Sequence, residues 1–223
     1  MNASGYEQSV LIPAGRVSLQ GMLQFPRAGA GIVVFSHGSG SGRLSPRNRF
    51  VASKLRNLGL GTLLLDLLTE HEDSDFELRF DISLLTERLG AAVHYIRNHP
   101  EGNTVPIGLF GASTGAASAL RVAAEIPEDI AAVVSRGGRP DLAGCETLAR
   151  VRTPTLLIVG GDDVGVIALN EKARHAMENC VCEMTVVPGA THLFEECGKL
   201  EEVARLAGEW FNRFIHTELA ESR

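Results

Sequence analysis

The sequence of 223 residues lacks the features that mark several large classes of protein. No apolar run approaches the length of a membrane span. There is also no basic stripe, since 21 Lys and Arg are interspersed among 27 Asp and Glu, for a formal net charge of −6. These absences argue against a membrane protein and against a nucleic-acid-binding protein. The N-terminal residues lack the charged and apolar blocks of a signal peptide, so we expect a cytoplasmic protein.

Cysteine is scarce, with four residues in the whole chain: Cys145, Cys180, Cys182 and Cys197. They form no C-x-x-C pair and no Cys/His block with the spacing of a zinc finger. We therefore expect reduced, buried cysteines, with one of Cys180 and Cys182 facing the core.

Internal repeats, low-complexity tracts and linkers are absent as well. The hydrophobic fraction of 44% and the charged fraction of 22% are ordinary for a soluble globular protein, and the length suits one α/β domain. Apolar strand-like runs alternate with amphipathic helix-like runs. This alternation predicts right-handed βαβ crossovers, a mostly parallel sheet and a single domain over residues 1–223.

The order of the predicted elements follows from the periodicity of apolar residues. Residues 8–24 alternate loosely and predict an antiparallel hairpin at a sheet edge, and 25–31 predict a loop. Predicted buried strands follow at 32–35, 62–66, 105–110, 130–134, 155–159 and 183–187. Predicted helices lie at 46–58, 82–98, 116–124, 166–179 and 200–214, with a short helix after residue 141 and an acidic loop at 69–75.

Gly111-Ala112-Ser113-Thr114-Gly115 reads G-x-S-x-G between a predicted strand and a helical run of small residues. Strand, sharp turn and helix in that order are the context of a nucleophile elbow. The turn needs small neighbours two residues either side of the serine, and glycine fits because it lacks a Cβ. The motif predicts Ser113 as an exposed nucleophile, and a plain turn with a solvated serine is the alternative.

Three other predicted strands end in loops that carry side chains able to act in catalysis: His37, the adjacent pair Asp162 and Asp163, and His192. Ligands of open parallel sheets bind beyond the carboxyl ends of the strands, so these loops and Ser113 are expected to meet at one edge. His192 can take the proton of the serine, and an aspartate can hold the imidazole in the required tautomer. Both aspartates of the pair remain candidates, and Asp141, after the preceding strand, is a third.

The order Ser113, Asp163, His192 resembles the α/β hydrolases, and in particular the small, lidless dienelactone-hydrolase-like group. The matching stretches are His37-Gly38, 111–115, 160–166 and 188–192. The resemblance implies an α/β-hydrolase fold with a mostly parallel central sheet, helices on both faces and no cap domain. The family-like spacing G-x-x-D-x-x-V favours Asp163 over Asp162 as the acid. Dienelactone hydrolase itself carries a cysteine nucleophile where this chain has Ser113, so dienelactone is not predicted as the substrate.

The resemblance also implies an oxyanion hole, formed by the N–H of Thr114 and by an N–H of the loop after the third strand, here Ser39. Gly38 and Gly40 let that loop approach a substrate. Arg136, at the end of a strand on the same edge, is a candidate to bind a substrate carboxylate, and pairing with a nearby acid is the alternative.

The predicted function is a serine hydrolase that acts on a small ester, thioester or lactone through an acyl-enzyme intermediate. Acyl transfer or amide hydrolysis at the same site, and a non-catalytic binding module on a hydrolase-like scaffold, remain alternatives. His37 is expected to support the oxyanion loop instead of acting as a base. No metal or organic cofactor is implied, a small acyl compound is the expected partner, and the sequence leaves a homodimer open.

Overall fold

Eight strands and seven α-helices make up the part of the chain that the computed structural model describes, residues 6–26 and 30–221. The strands are β1 (Gln8–Ala14), β2 (Val17–Gln24), β3 (Ile32–Ser36), β4 (Gly61–Leu65), β5 (Ile107–Ala112), β6 (Ile130–Arg136), β7 (Thr155–Gly160) and β8 (Cys182–Val187). The helices are α1 (Pro46–Asn57), α2 (Glu70–Asp73), α3 (Ile82–Arg97), α4 (Thr114–Glu125), α5 (Cys145–Arg150), α6 (Val164–Ala176) and α7 (Lys199–Glu221).

The strands form one sheet in the order β1-β2-β4-β3-β5-β6-β7-β8. β1 and β2 pair with each other, and β2 with β4, in antiparallel fashion, and all other neighbours are parallel. The predicted mostly parallel sheet with an antiparallel hairpin at its edge is therefore confirmed. The structure does not describe residues 27–29 of the predicted loop over residues 25–31. It also does not describe residues 1–5, which make up most of the N-terminal stretch on which the signal-peptide argument rested.

Helices cover both faces of the sheet because its central strands are apolar on both faces. Within β5, Leu109 packs on the side of α3 to α6, and its neighbour Phe110 packs on the side of α1 and α7. Leu89 of α3 belongs to the first layer, and Leu55 of α1 and Phe211 of α7 belong to the second. A strand buried on both sides reads as a continuous apolar run, which is why these strands could be found from the sequence.

The acidic segment at 69–75 differs from its prediction as a loop. It contains the one-turn helix α2, which a capping box holds: Thr69 Oγ1 accepts the N–H of Glu72 at 3.2 Å, and the Thr69 N–H donates to Glu72 Oε2 at 2.8 Å. Glu72 also pairs with Arg88 of α3 at 3.0 Å, so a tertiary contact stabilises a turn too short to form alone.

Two of the four cysteines also depart from prediction. Cys145 and Cys197 are exposed, whereas Cys180 and Cys182 are half-buried beside and within β8. Burial raises the pKa of the Cys182 thiol to about 12, so this thiol stays protonated. Among the described residues, no helix combines the length and the apolar character needed to cross a membrane.

Candidate active site

Ser113 lies in a sharp turn between β5 and α4, with φ of 51° and ψ of −121°. A left-handed φ is uncommon for a residue with a Cβ and costs about 1–3 kcal/mol, so the surrounding structure must hold it. The N–H of Ser113 donates to the carbonyl oxygen of Arg136 at 3.2 Å. Its own carbonyl oxygen accepts from the N–H groups of Ala116 at 3.1 Å and Arg139 at 3.0 Å.

Close packing of the turn explains the two glycines of the motif. A Cβ at Gly111 would lie 2.5 Å from the Cα of Ala116, and a Cβ at Gly115 would overlap the carbonyl oxygen of Ser36. Since both neighbours are backbone atoms, they cannot move aside without shifting an element. The turn therefore presents a half-buried serine at the carboxyl edge of the sheet.

The structure brings Ser113, His192 and Asp163 into one chain of hydrogen bonds. Nε2 of His192 lies 3.3 Å from Ser113 Oγ, and Nδ1 of His192 lies 2.7 Å from Asp163 Oδ2. Asp162 is exposed, and its N–H donates to the carbonyl oxygen of Ala190 at 3.0 Å. Of the two adjacent aspartates, it is thus Asp163 that reaches the imidazole. An Nδ1–H bonded to a carboxylate leaves Nε2 as the acceptor for the serine hydroxyl.

The loop that carries His192 is fixed by contacts that the sequence analysis did not identify. Glu196 Oε1 accepts from the N–H of Thr191 at 3.1 Å and from Thr191 Oγ1 at 2.5 Å. Phe194 is fully buried with φ of 57°, and it acts as an anchor under the loop. Gly137 gives the loop room, because a Cβ there would lie 2.8 Å from the carbonyl oxygen of His192. The two glycines that directly follow β6, at positions 137 and 138, were the signal of this close approach in the sequence.

His37 supports the loop after β3 and is buried with both ring nitrogens engaged. Nε2 accepts the N–H of Leu67 at 2.9 Å, so the ring proton is on Nδ1, which donates to the carbonyl oxygen of Gly38 at 2.9 Å. Burial lowers the pKa of His37 below its ordinary value. An imidazole with a hydrogen bond at each ring nitrogen supports the loop, as predicted, and is not available as a base.

The loop after β3 lies directly against the elbow. A Cβ at Gly38 would lie 2.9 Å from the Cβ of Ser113, and Gly40 has φ of 68°, so both positions favour glycine. The N–H of Thr114, the first residue of α4, has no intrahelical acceptor because of its position. The N–H of Ser39 is already engaged: it donates to Thr114 Oγ1 at 3.0 Å.

Arg136 is buried at the end of β6 beside the first turn of α1. Its closest acceptor is Asn48 Oδ1, 3.5 Å from Nη2, and its Nε has no hydrogen-bond partner. Among the described side chains, none forms an ion pair with Arg136, and Glu195 pairs instead with Arg47 at 2.5 Å. Burial and the positive charge of Arg47 lower the pKa of Arg136 to about 10, although the negative charge of Glu195 acts in the opposite direction. The predicted alternative, pairing with a nearby acid, is not observed in this part of the chain.

Comparisons with known proteins agree with this architecture. The sequence pattern of the dienelactone hydrolase family matches residues 23–217. The crystal structure of dienelactone hydrolase from Anabaena variabilis is 49% identical, with a TM-score of 0.92, over 95% of this chain and 99% of that one. An esterase of Pyrococcus furiosus, 19% identical over 95% of this chain and 92% of its own, shares the fold with a TM-score of 0.78.

A curated relative from Mycobacterium tuberculosis is 51% identical over 92% of this chain and is named "Putative phosphoribosyl transferase". The matched region makes up 46% of that relative, so the chain spans about half the length of the relative. The family match covers most of the chain, and the Anabaena structure shares the fold over 95% of it. This protein therefore belongs to the dienelactone hydrolase family of α/β hydrolases.

Proposed function

We propose that the protein is a serine hydrolase that cleaves a small ester, thioester or lactone through an acyl-enzyme intermediate. The observation that carries the proposal is the continuous set of hydrogen bonds from Ser113 Oγ to His192 Nε2 at 3.3 Å and from His192 Nδ1 to Asp163 Oδ2 at 2.7 Å. Nucleophile, base and orienting acid within bonding reach are what nucleophilic catalysis by serine requires.

In the acylation step, Ser113 Oγ attacks the carbonyl carbon while its proton passes to His192 Nε2. Asp163 holds the imidazole in the Nδ1–H tautomer and stabilises its charged form. Collapse of the tetrahedral intermediate breaks the bond to the leaving group, which takes the proton from His192. Water then attacks the acyl-enzyme by the same path in reverse, and the acid product leaves with Ser113 restored.

The tetrahedral intermediate carries negative charge on the former carbonyl oxygen, which requires hydrogen-bond donors. The N–H of Thr114, at the positive end of α4, would supply one donor, whereas the predicted second donor, the Ser39 N–H, is engaged with Thr114 Oγ1 at 3.0 Å. Gly38 and Gly40 allow the loop to approach the substrate. Only a single 3₁₀ turn and α5 occupy residues 137–154 between β6 and β7, which supports an open site that accepts varied acyl groups.

The guanidinium of Arg136, which forms no ion pair with any side chain that the structure describes, supports its predicted role in substrate binding. A buried cation with no carboxylate within ion-pair distance is costly, and an anionic group of the substrate would offset that cost. Since Arg136 accepts the Ser113 N–H through its carbonyl oxygen at 3.2 Å, the two residues are adjacent across the sheet. We propose a carboxylate on the substrate as its ligand, held bidentately.

The names of the neighbours are consistent with ester chemistry. The Anabaena protein is named for lactone hydrolysis, and Est1E of Butyrivibrio proteoclasticus, which shares the fold at 18% identity, has been solved with ferulic acid bound. These are properties of those proteins. For this chain they support the class of reaction, and they leave the acyl group to experiment.

A fluorophosphonate that carries a reporter group tests the proposal. We expect one covalent adduct per chain, located at Ser113 by peptide mass spectrometry, and loss of labelling in Ser113→Ala and His192→Ala. Ser53→Ala is the matched control, because the Ser53 hydroxyl bonds to a carbonyl oxygen within α1 at 2.7 Å. Folded wild-type protein that takes no label would overturn the proposed function.

A further inference from the structure

The hydroxyl of Thr114 accepts the hydrogen bond of the N–H that the family resemblance assigns to the oxyanion. Ser39 N lies 3.0 Å from Thr114 Oγ1, and Thr114 is only 3% exposed. A backbone N–H has one proton, and in this structure that proton points at a side chain. The second donor of the oxyanion hole therefore needs another source, or the bond between Ser39 and Thr114 must break during the reaction.

Thr114 itself has a proton to offer. A threonine hydroxyl carries one donor and two acceptor lone pairs, so accepting the Ser39 N–H leaves its own proton free to donate. The N–H of Thr114 is free as well, because the first residue of a helix has no intrahelical acceptor. Only three covalent bonds separate the backbone nitrogen of Thr114 from its Oγ1. A substrate oxygen that accepts a hydrogen bond from the N–H therefore lies near the hydroxyl.

The loop after β3 meets this hydroxyl next to the nucleophile. Gly38 packs against Ser113, with its ideal Cβ position 2.9 Å from the Cβ of the serine. The bond between Ser39 and Thr114 is thus made beside the nucleophile, at the positive end of α4. A hydroxyl that accepts a hydrogen bond becomes a stronger donor, because successive hydrogen bonds polarise one another.

From this geometry we propose that Thr114 donates twice to the tetrahedral oxyanion, once through its N–H and once through its Oγ–H, while the Ser39 N–H donates to Thr114 Oγ1 from behind. The inference rests on the proposed serine hydrolase function. It makes Thr114 a catalytic residue through its side chain. It also moves Ser39 from direct contact with the oxyanion to support of the hydroxyl that makes the contact.

Two substitutions of Thr114 distinguish donation to the oxyanion by the threonine hydroxyl from donation by the Ser39 N–H. Thr114→Val keeps the branched shape and removes the hydroxyl, and the N–H of Ser39, an exposed residue, can then bond to water or directly to substrate. With direct donation by the hydroxyl, kcat on p-nitrophenyl acetate falls about 10²-fold or more, with KM little changed, as for loss of one oxyanion donor. Thr114→Ser keeps the donor, and kcat stays within a few-fold of the wild type. A Thr114→Val enzyme as fast as or faster than the wild type overturns the proposal.

A crystal structure of the fluorophosphonate adduct decides between donation and mere support of the loop, because the phosphonyl oxygen stands in for the oxyanion. We expect Thr114 Oγ1 within about 3 Å of that oxygen, with Ser39 N still bonded to Thr114 Oγ1. An adduct in which Ser39 N bonds the phosphonyl oxygen, with Oγ1 displaced from it, overturns this inference and leaves the proposed function standing. Absence of any adduct at Ser113 overturns both.

Discussion

Replacement of Asp163 by asparagine tests how the acid acts on His192. In the wild type, Asp163 Oδ2 accepts the Nδ1–H of His192 at 2.7 Å, which leaves Nε2 unprotonated toward Ser113. The amide of an asparagine can present its NH₂ to Nδ1, which favours the tautomer with the proton on Nε2. That nitrogen can then no longer accept the proton of the serine.

The expected loss follows from which part of the interaction is removed. The tautomer switch in a buried serine triad lowers kcat by about 10⁴-fold, equivalent to about 5.5 kcal/mol of activation free energy. His192 and Asp163 have side-chain exposures of 37% and 18%, so water screens the electrostatic part of the interaction here. We therefore expect kcat for Asp163→Asn to fall by about 10²- to 10⁴-fold.

The measurement is kcat and KM on p-nitrophenyl acetate, together with the midpoint of thermal unfolding. Asp162→Asn is a matched control, because it makes the same chemical change one residue away on an exposed side chain. We expect Asp162→Asn to stay within about two-fold of the wild type, as for other exposed substitutions. If Asp162→Asn loses activity by orders of magnitude while Asp163→Asn does not, the assignment of the acid is wrong.

Three further substitutions test the packing, the loop and the substrate. Gly115→Ala should lower the unfolding midpoint and abolish activity, because its Cβ would overlap backbone at the end of β3, whereas Gly165→Ala, which has open space around its Cβ, should be neutral or slightly stabilising. Burial lowers the pKa of His37 from 6.5, so below pH 6.5 the unfolded chain binds more protons than the folded one and the stability falls as the pH drops. His37→Gln should reduce the pH dependence of the free energy of unfolding, measured by thermal unfolding at several pH values, by at most about 1.4 kcal/mol per pH unit. An unchanged pH dependence would contradict the reasoning. Arg136→Met should lower kcat/KM at least ten-fold more for the p-nitrophenyl monoester of glutaric acid, which carries a carboxylate, than for p-nitrophenyl valerate, which does not. Substitution of the exposed Arg205 by methionine should leave the ratio of kcat/KM for the two esters unchanged. Equal losses on both esters in Arg136→Met would argue against a carboxylate at Arg136.

Local patterns were sufficient to find most of the elements. The strands around Leu109 and Phe110 are buried on both faces, so they read as uninterrupted apolar runs. The helix after the elbow could be predicted because a run of small residues lets it lie close to the sheet. The helix α2 was missed because its stability comes partly from the pair between Glu72 and Arg88 across the chain, which no short window of sequence contains.

The sequence by itself determined the elbow, the order of the candidate triad and the edge where they meet, because the side-chain period of a strand and the needs of a tight turn are local. The tertiary structure alone decided which of Asp162 and Asp163 reaches His192, since adjacent residues point in different directions. It also decided that the Ser39 N–H meets Thr114 Oγ1 and that Arg136 lies buried without an ion pair among the described side chains. These outcomes depend on distances between segments far apart in the chain, which are set when the sheet assembles.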